Sequence, residues 1–197
     1  RKAYYNPSTR QLVTHKGDKG VFLHEYGHHI DHDLAGGKFE TVSETFFPEA
    51  AKVDAISLGV NQDFPIFSST ANKVSQRSEA VKDKVKELRG ELFEIVDYIP
   101  KRGKYKGLVR GKTTQPKIEG AEFISDIIDS MSQGAMYEIG GYGHGANYYM
   151  NGNSDRMRQT ENFANMFSLW SQNGEAWGKA QGLFPKLTAE FLDIVGE

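Results

Sequence analysis

Apolar residues cluster in two short β-like runs, residues 3–6 and 11–15, around the turn-forming Asn6-Pro7-Ser8-Thr9, and this predicts a small β-hairpin. Gly17, Asp18 and Gly20 break the second strand. Val21, Phe22, Leu23 and Ile30 supply the apolar positions of a following helix, which Gly36 and Gly37 end. Residues 39–60 have mixed helical character interrupted at Pro48, and residues 61–69 read as a loop. From about residue 70 to 98, Val74, Val81, Val85, Leu88, Leu92 and Ile95 recur at threes, fours and sevens beside a face dense in Lys and Glu. That pattern predicts a long helix exposed along one side and ended by Pro100. Residues 101–117 read as a loop or hairpin. Residues 120–132 form an amphipathic helix on Phe123, Ile124, Ile127, Ile128 and Met131, and residues 156–171 another on Phe163, Phe167 and Trp170. Between them, five glycines within residues 134–145 predict a shaped loop, and residues 151–155 form a turn cluster able to cap the next helix. A last amphipathic helix begins at Pro185.

With 197 residues and 38% hydrophobic content, the chain suits one sizeable core or two small lobes. No apolar run approaches membrane-spanning length, so no membrane partner is expected. The first residues are neither a signal peptide nor a start methionine, so the chain reads as a processed product or an excised domain. The absence of cysteine excludes thiol catalysis, disulfides and Cys-ligated zinc, so any metal must rest on His, Asp and Glu. The net charge of -2 gives no whole-molecule reason to expect nucleic acid. Residues 101–117 nevertheless carry seven basic residues and no acidic one. They are read as a solvated loop rather than a polyanion site, because no aromatic stacking platform accompanies the charges.

The chemistry lies in His24-Glu25-Tyr26-Gly27-His28. Two histidines four residues apart share one helix face and can reach one metal ion, while the intervening Glu25 can lean over the metal and take a proton from water. The bland alternative is a His-rich helix facing solvent. A catalytic zinc needs a third protein ligand. The metzincin pattern would place glycine and histidine where Asp31 and Leu34 stand, and no Gly-Thr-x-Asp motif follows. A glutamate on a separate helix remains, and Glu161 is the best candidate: it stands among Phe163, Ala164 and Phe167 on a helix that must pack inward, where a carboxylate needs a cation or donors. An ordinary first-turn glutamate is the alternative. Asn165, one turn on, faces the same way and can accept a ligand histidine's free ring N–H. His32 and Asp31 can orient a ligand or line the cleft, His15 can stand at its rim, and His29 points elsewhere.

The octet His24–Asp31, taken with Glu161-x-Phe163-Ala164-x-x-Phe167, resembles the lethal-factor-like branch of the gluzincin zinc metallopeptidases. The Gly-Tyr-Gly-His-Gly loop at 141–145 and the Ile-Ser-Asp-Ile-Ile-Asp helix at 124–129 also resemble domains of tailed-phage minor head (head morphogenesis) proteins. The resemblance covers residues 1–35 and 120–197. It implies an α+β, mostly helical, zincin-like domain built from residues 1–38 and 120–197, with a small hairpin, an HExxH helix and a glutamate helix. Residues 39–119 would be a helical insertion acting as a lid or binding a partner.

The resemblance further implies Zn2+ on His24, His28 and Glu161, Glu25 as general base, and an oxyanion donor upstream of the glutamate helix. Tyr142, His144, Tyr148 and Tyr149 are the candidates for that donor, Tyr148 and His144 being preferred. In one departure, Asn165 stands where many gluzincins place an acidic residue, leaving its histidine partner less basic. In another, the separation of His28 from Glu161 is unusually long. The expected function is zinc-dependent hydrolysis of a peptide or protein substrate by a phage- or prophage-encoded protein located in a virion or host cytoplasm, or secreted. The alternative is a zinc-stabilised structural module of a phage head, partnered by virion proteins, with little or no turnover.

Overall fold

The computed structural model describes residues 3–14, 18–36, 40–61, 79–149 and 154–196. β1 (Tyr4–Asn6) and β2 (Gln11–Val13) pair antiparallel with Tyr4 opposite Val13. Their turn is closed by Asn6, whose Oδ1 accepts the backbone N–H groups of Ser8 and Thr9. α1 (Lys19–Leu34) starts two residues ahead of the expected Val21, because Asp18 caps it: Asp18 Oδ1 accepts the Val21 N–H at 3.0 Å.

α2 (Val42–Ser57) runs uninterrupted through Pro48, against the expected break. Pro48 is exposed, so water can satisfy the backbone carbonyl that loses its partner there. The expected long helix is also shorter at its C-terminal end. α3 (Glu79–Leu92) stops at Leu92, and residues 93–97 form β3 (Phe93–Asp97), paired antiparallel with β4 (Lys112–Pro116). The register sets Phe93 opposite Pro116 and Asp97 opposite Lys112. The segment 39–119 is therefore not wholly helical: it carries a hairpin, and the basic residues crowd the exposed far end of that hairpin. The expected loop 61–69 and helix start lie almost wholly outside the described residues, as do His15 and residues 151–153.

α4 (Ala121–Met131), the short α5 (Ala135–Glu138) and α6 (Ala146–Tyr149), then α7 (Ser154–Gln172), α8 (Glu175–Leu183) and α9 (Pro185–Val195) complete the chain. The helix α8 was not anticipated from the sequence. α7 is the axis of the fold. Residues 161–166 are buried on every face, and α1, α2 and α4 pack around them. Phe47 on α2, Val85 and Leu88 on α3, Ile124 and Ile128 on α4, Phe163 on α7 and Phe191 on α9 belong to one continuous core. Helices from 39–119 thus bury their apolar faces with the rest of the chain. Asp54 on α2 caps α9 from a distance, accepting the N–H groups of Lys186 and Leu187 at 3.2 and 2.8 Å. The fold is α+β and mostly helical, with two small antiparallel sheets among the described residues. No described helix is long and apolar enough to cross a membrane.

Candidate metal centre

The site forms where α1 crosses α7. Gly27, inside the His-Glu-x-x-His pentad, faces Ala164, and a Cβ there would lie only 2.8 Å from Ala164 Cα. The missing side chain lets the two backbones approach, and the Ser168 hydroxyl donates to the Gly20 carbonyl at 3.0 Å to tie them together. That closeness brings His24 and His28, one turn apart on α1, against Glu161 on α7. Glu161 lies well inside α7 rather than in its first turn, and it is 4% exposed.

A helix buried on all sides must find partners for each polar side chain it carries. Asn162 accepts from Ser130 and donates to Gln159; Asn165 lies between His24 and Asp126. Glu161 Oε1 accepts the Tyr148 hydroxyl at 2.7 Å. Its other oxygen, Oε2, is buried with no hydrogen bond. That oxygen faces three imidazole Nε2 atoms, of His24 at 3.3 Å, His144 at 3.4 Å and His28 at 3.7 Å. Charged N–H···O hydrogen bonds close to about 2.8 Å. Donors sharing a tetrahedral zinc at bonds of 2.0–2.2 Å stand about 3.3–3.5 Å apart. The spacing therefore fits an ion between them better than direct pairing. Two three-residue donor sets exist among the described residues, His24/His28/Glu161 and Asp126/His144/Glu161. Buried His, Glu and Asp groups are thus positioned to hold a metal ion.

Electrostatics follow from the crowding. Burial pushes the His28 imidazolium down to a pKa of about 4, only partly offset by Glu161, so this ring is neutral with a lone pair to give. For His24, burial is outweighed by the Glu161 carboxylate and the pKa is raised. For Glu161 itself, burial is outweighed by His28, His144 and His24, which hold it well below the carboxylate range. His144, despite its burial, is raised to about 9 by Glu161, Asp126 and Asp129. Burial also raises Glu25, against the opposing charge of His24 and a backbone N–H from Tyr5 on β1. Tyr148 is raised by burial and by the negative charge of Glu161, so it stays a hydroxyl.

A cavity of about 530 Å3 opens over this cluster, lined by Tyr5, Glu25, His28, Tyr148, Arg156 and Met157 among others. A second of about 420 Å3, lined by Val21, Phe123, Tyr142 and Asp126, shares Ala3, His24, Glu25 and His144 with the first. Together they make a cleft that crosses the donors with Glu25 on its wall.

Each site residue expected from the sequence can now be placed. His24, His28, Glu161, Glu25, Tyr148 and His144 converge, and the His144 ring stacks on Tyr148 at 4.1 Å. Tyr142 stacks on Phe93 and lines the second cavity, whereas Tyr149 is buried beside Asp126. His32 lines the first cavity and its Nδ1 pairs with the Glu40 carbonyl at 2.9 Å. Asp31 faces away from the cleft and caps α2, accepting from Ser43 N at 2.9 Å and Ser43 Oγ at 2.6 Å. His29 pairs with the Tyr5 hydroxyl and is not among the donors.

Two residues were missed. Asp129 accepts the N–H groups of Tyr137, His144 and Gly145, and so folds the glycine-rich loop around one carboxylate and delivers His144. Gly143 has φ +146°, and a Cβ there would overlap Asp129, so only glycine fits. Asp126, one turn earlier on α4, reaches Asn165. Two acids three apart, Asp126 and Asp129, interleaved with the apolar Ile124, Ile127 and Ile128, were the available signal, since a carboxylate on a buried face needs donors or a cation. No family model, no curated protein and no solved structure matches this chain.

Proposed function

We propose that the protein is a zinc-dependent peptidase, with His24, His28 and Glu161 as the metal ligands. What carries this reading is the orphaned, buried Glu161 Oε2 set at ion-sharing distance from two neutralisable imidazoles of an HExxH helix. A donor set of two nitrogens and one carboxylate oxygen is the kind that leaves zinc a position for water or substrate. Zinc held there would supply Lewis acidity to a carbonyl oxygen and acidify water.

The remaining work falls to the chain. Glu25, on the cleft wall and with its proton affinity raised by burial, takes the proton of an attacking water and returns it to the leaving amine. Tyr148 and His144, both lining the first cavity beside Glu161, are the donors available to a developing oxyanion. The tandem cavities suit a polypeptide laid across the donors. The competing reading, a purely structural ion, would need a fourth protein ligand. Among the described residues, His144 groups with Asp126 and Glu161 rather than with both helix histidines.

The test is metal content and hydrolysis of a mixed peptide library by purified wild type, Glu161→Ala and Glu25→Gln. One zinc per chain, lost in Glu161→Ala, with hydrolysis abolished but zinc kept in Glu25→Gln, is expected. Hydrolysis surviving in Glu25→Gln removes the proposed base; absence of zinc from reconstituted wild type removes the metal reading.

A further inference from the structure

Asn165 is an ambiguous partner for a metal-ligating histidine. Its amide has a donor end and an acceptor end of nearly the same shape, and each would select a different form of the His24 ring. With Oδ1 towards the ring, Nδ1 must carry a hydrogen, and in the neutral ring Nε2 then keeps the lone pair. With the amide reversed, the hydrogen moves to Nε2, where it would bond Glu161 Oε2 and remove the ligand. One end binds metal and the other closes the site.

The structure supplies a group that chooses. Asp126 on α4 is 8% exposed, and its Oδ2 lies 2.9 Å from Asn165 Nδ2. In its ionised form Asp126 only accepts, so the amide nitrogen then faces it and Asn165 Oδ1 faces His24 Nδ1, which lies 2.9 Å away. In the neutral ring, His24 Nε2, 3.3 Å from Glu161 Oε2, is then the lone-pair nitrogen. The Tyr149 hydroxyl supports the other Asp126 oxygen at 3.4 Å.

We infer that Asp126 is a positioning residue which, through Asn165, fixes the His24 tautomer that binds metal. This rests on the proposed role of His24 as a ligand. It also accounts for Asn165 standing where the gluzincin resemblance leads one to expect an acid. The acid is present, displaced by one side chain. A carboxylate at 165 itself would face Asp126 directly, two buried like charges with Glu161 close by.

The test compares wild type, Asp126→Asn, Asn165→Asp and the exchange Asp126→Asn/Asn165→Asp. Zinc affinity is read by competition with a chromophoric chelator, zinc stoichiometry by elemental analysis, and the His24 tautomer by nitrogen NMR on chelator-treated protein in alkaline buffer. Asp126→Asn should lower zinc affinity about 10–100-fold, the usual effect of losing such an outer partner. The exchange keeps size and charge, so it guards against simple misfolding and should recover most of that loss. In NMR, His24 should be the Nδ1–H form in wild type and in the exchange, and mixed or Nε2–H in Asp126→Asn.

Unchanged affinity in Asp126→Asn, or an exchange no better than the single variant, overturns the relay. Two zinc ions in wild type falling to one in Asp126→Asn would make Asp126 a ligand and also overturn it. If wild type binds no zinc, the metal reading fails, and the tautomer measurement still decides the relay.

Discussion

Gly27→Ala tests the helix crossing on which the site depends. By helix propensity alone the change is favourable by about 1 kcal/mol, because glycine in a helix interior is penalised relative to alanine. The crossing says otherwise. The new Cβ would lie 2.8 Å from Ala164 Cα, 3.0 Å from Phe167 Cβ and 3.2 Å from the Ala164 carbonyl oxygen, whereas ordinary contact begins at 3.4 Å. Two of those atoms are backbone, which no rotamer change can move aside, so α1 and α7 must part locally by about 0.6 Å. Overpacking of this kind typically costs about 1–3 kcal/mol. Set against the propensity gain, a net loss of up to about 2 kcal/mol is expected. For a chain of this size that is a fall in Tm of up to about 8 °C. His24 and His28 ride on one of the separating helices and Glu161 on the other. Ligand distances tolerate only about 0.2 Å, so zinc affinity should fall by roughly tenfold or more. Thermal melts with and without chelator, alongside the zinc competition assay, read both effects. A variant that melts higher than wild type and binds zinc equally well would refute the close-crossing account.

Two other substitutions probe separate parts of the molecule. Tyr148→Phe removes the hydroxyl that donates to Glu161 Oε1; kcat should fall about 10²–10³-fold with KM little changed, and an unaltered kcat would retire Tyr148 as an oxyanion donor. Asp31→Asn tests pH dependence. Burial raises the Asp31 pKa from 3.8 to about 7, so the folded protein holds this proton more tightly than the unfolded chain. Stability from the neutral form is therefore full below about pH 4, falls as pH rises towards 7 and is level above it. The fall is on the order of 4 kcal/mol at most, and Asp31→Asn should flatten it in urea unfolding followed from pH 4 to 8. Parallel profiles for the two proteins would sink this assignment.

Much of the architecture was legible because its causes are local. The Asn6-Pro7 turn, the Asp18 cap with its following apolar run, the amphipathic stripes of α4 and α7 and the Pro185 start of α9 are each written within a few residues. Residues 93–97 misled the helical reading because Ile95 continues the helical spacing of Val74, Val81, Val85, Leu88 and Leu92. The strand there is decided by pairing with residues 112–116, across a turn that no short window contains. Pro48 misled because a break depends on whether the freed carbonyl can reach water, which is a matter of exposure.

The candidate site divides along the same line. His24, Glu25 and His28 could be grouped from sequence alone, since helical periodicity places i and i+4 on one face. Glu161 could be nominated, as a carboxylate among apolar neighbours. That it lies against those histidines with one oxygen unpartnered is decided by the α1–α7 crossing, which Gly27 permits. Asp126 and Asp129 carried a sequence signal without an address. Their roles, orienting Asn165 and folding the loop that presents His144, exist only once α4 packs beside α7. A residue's chemistry and its position on its own helix follow from the local chain. Which polar atoms are left facing one another is set by long-range packing of the apolar faces, and that packing is what turns separate histidines and carboxylates into one donor cluster.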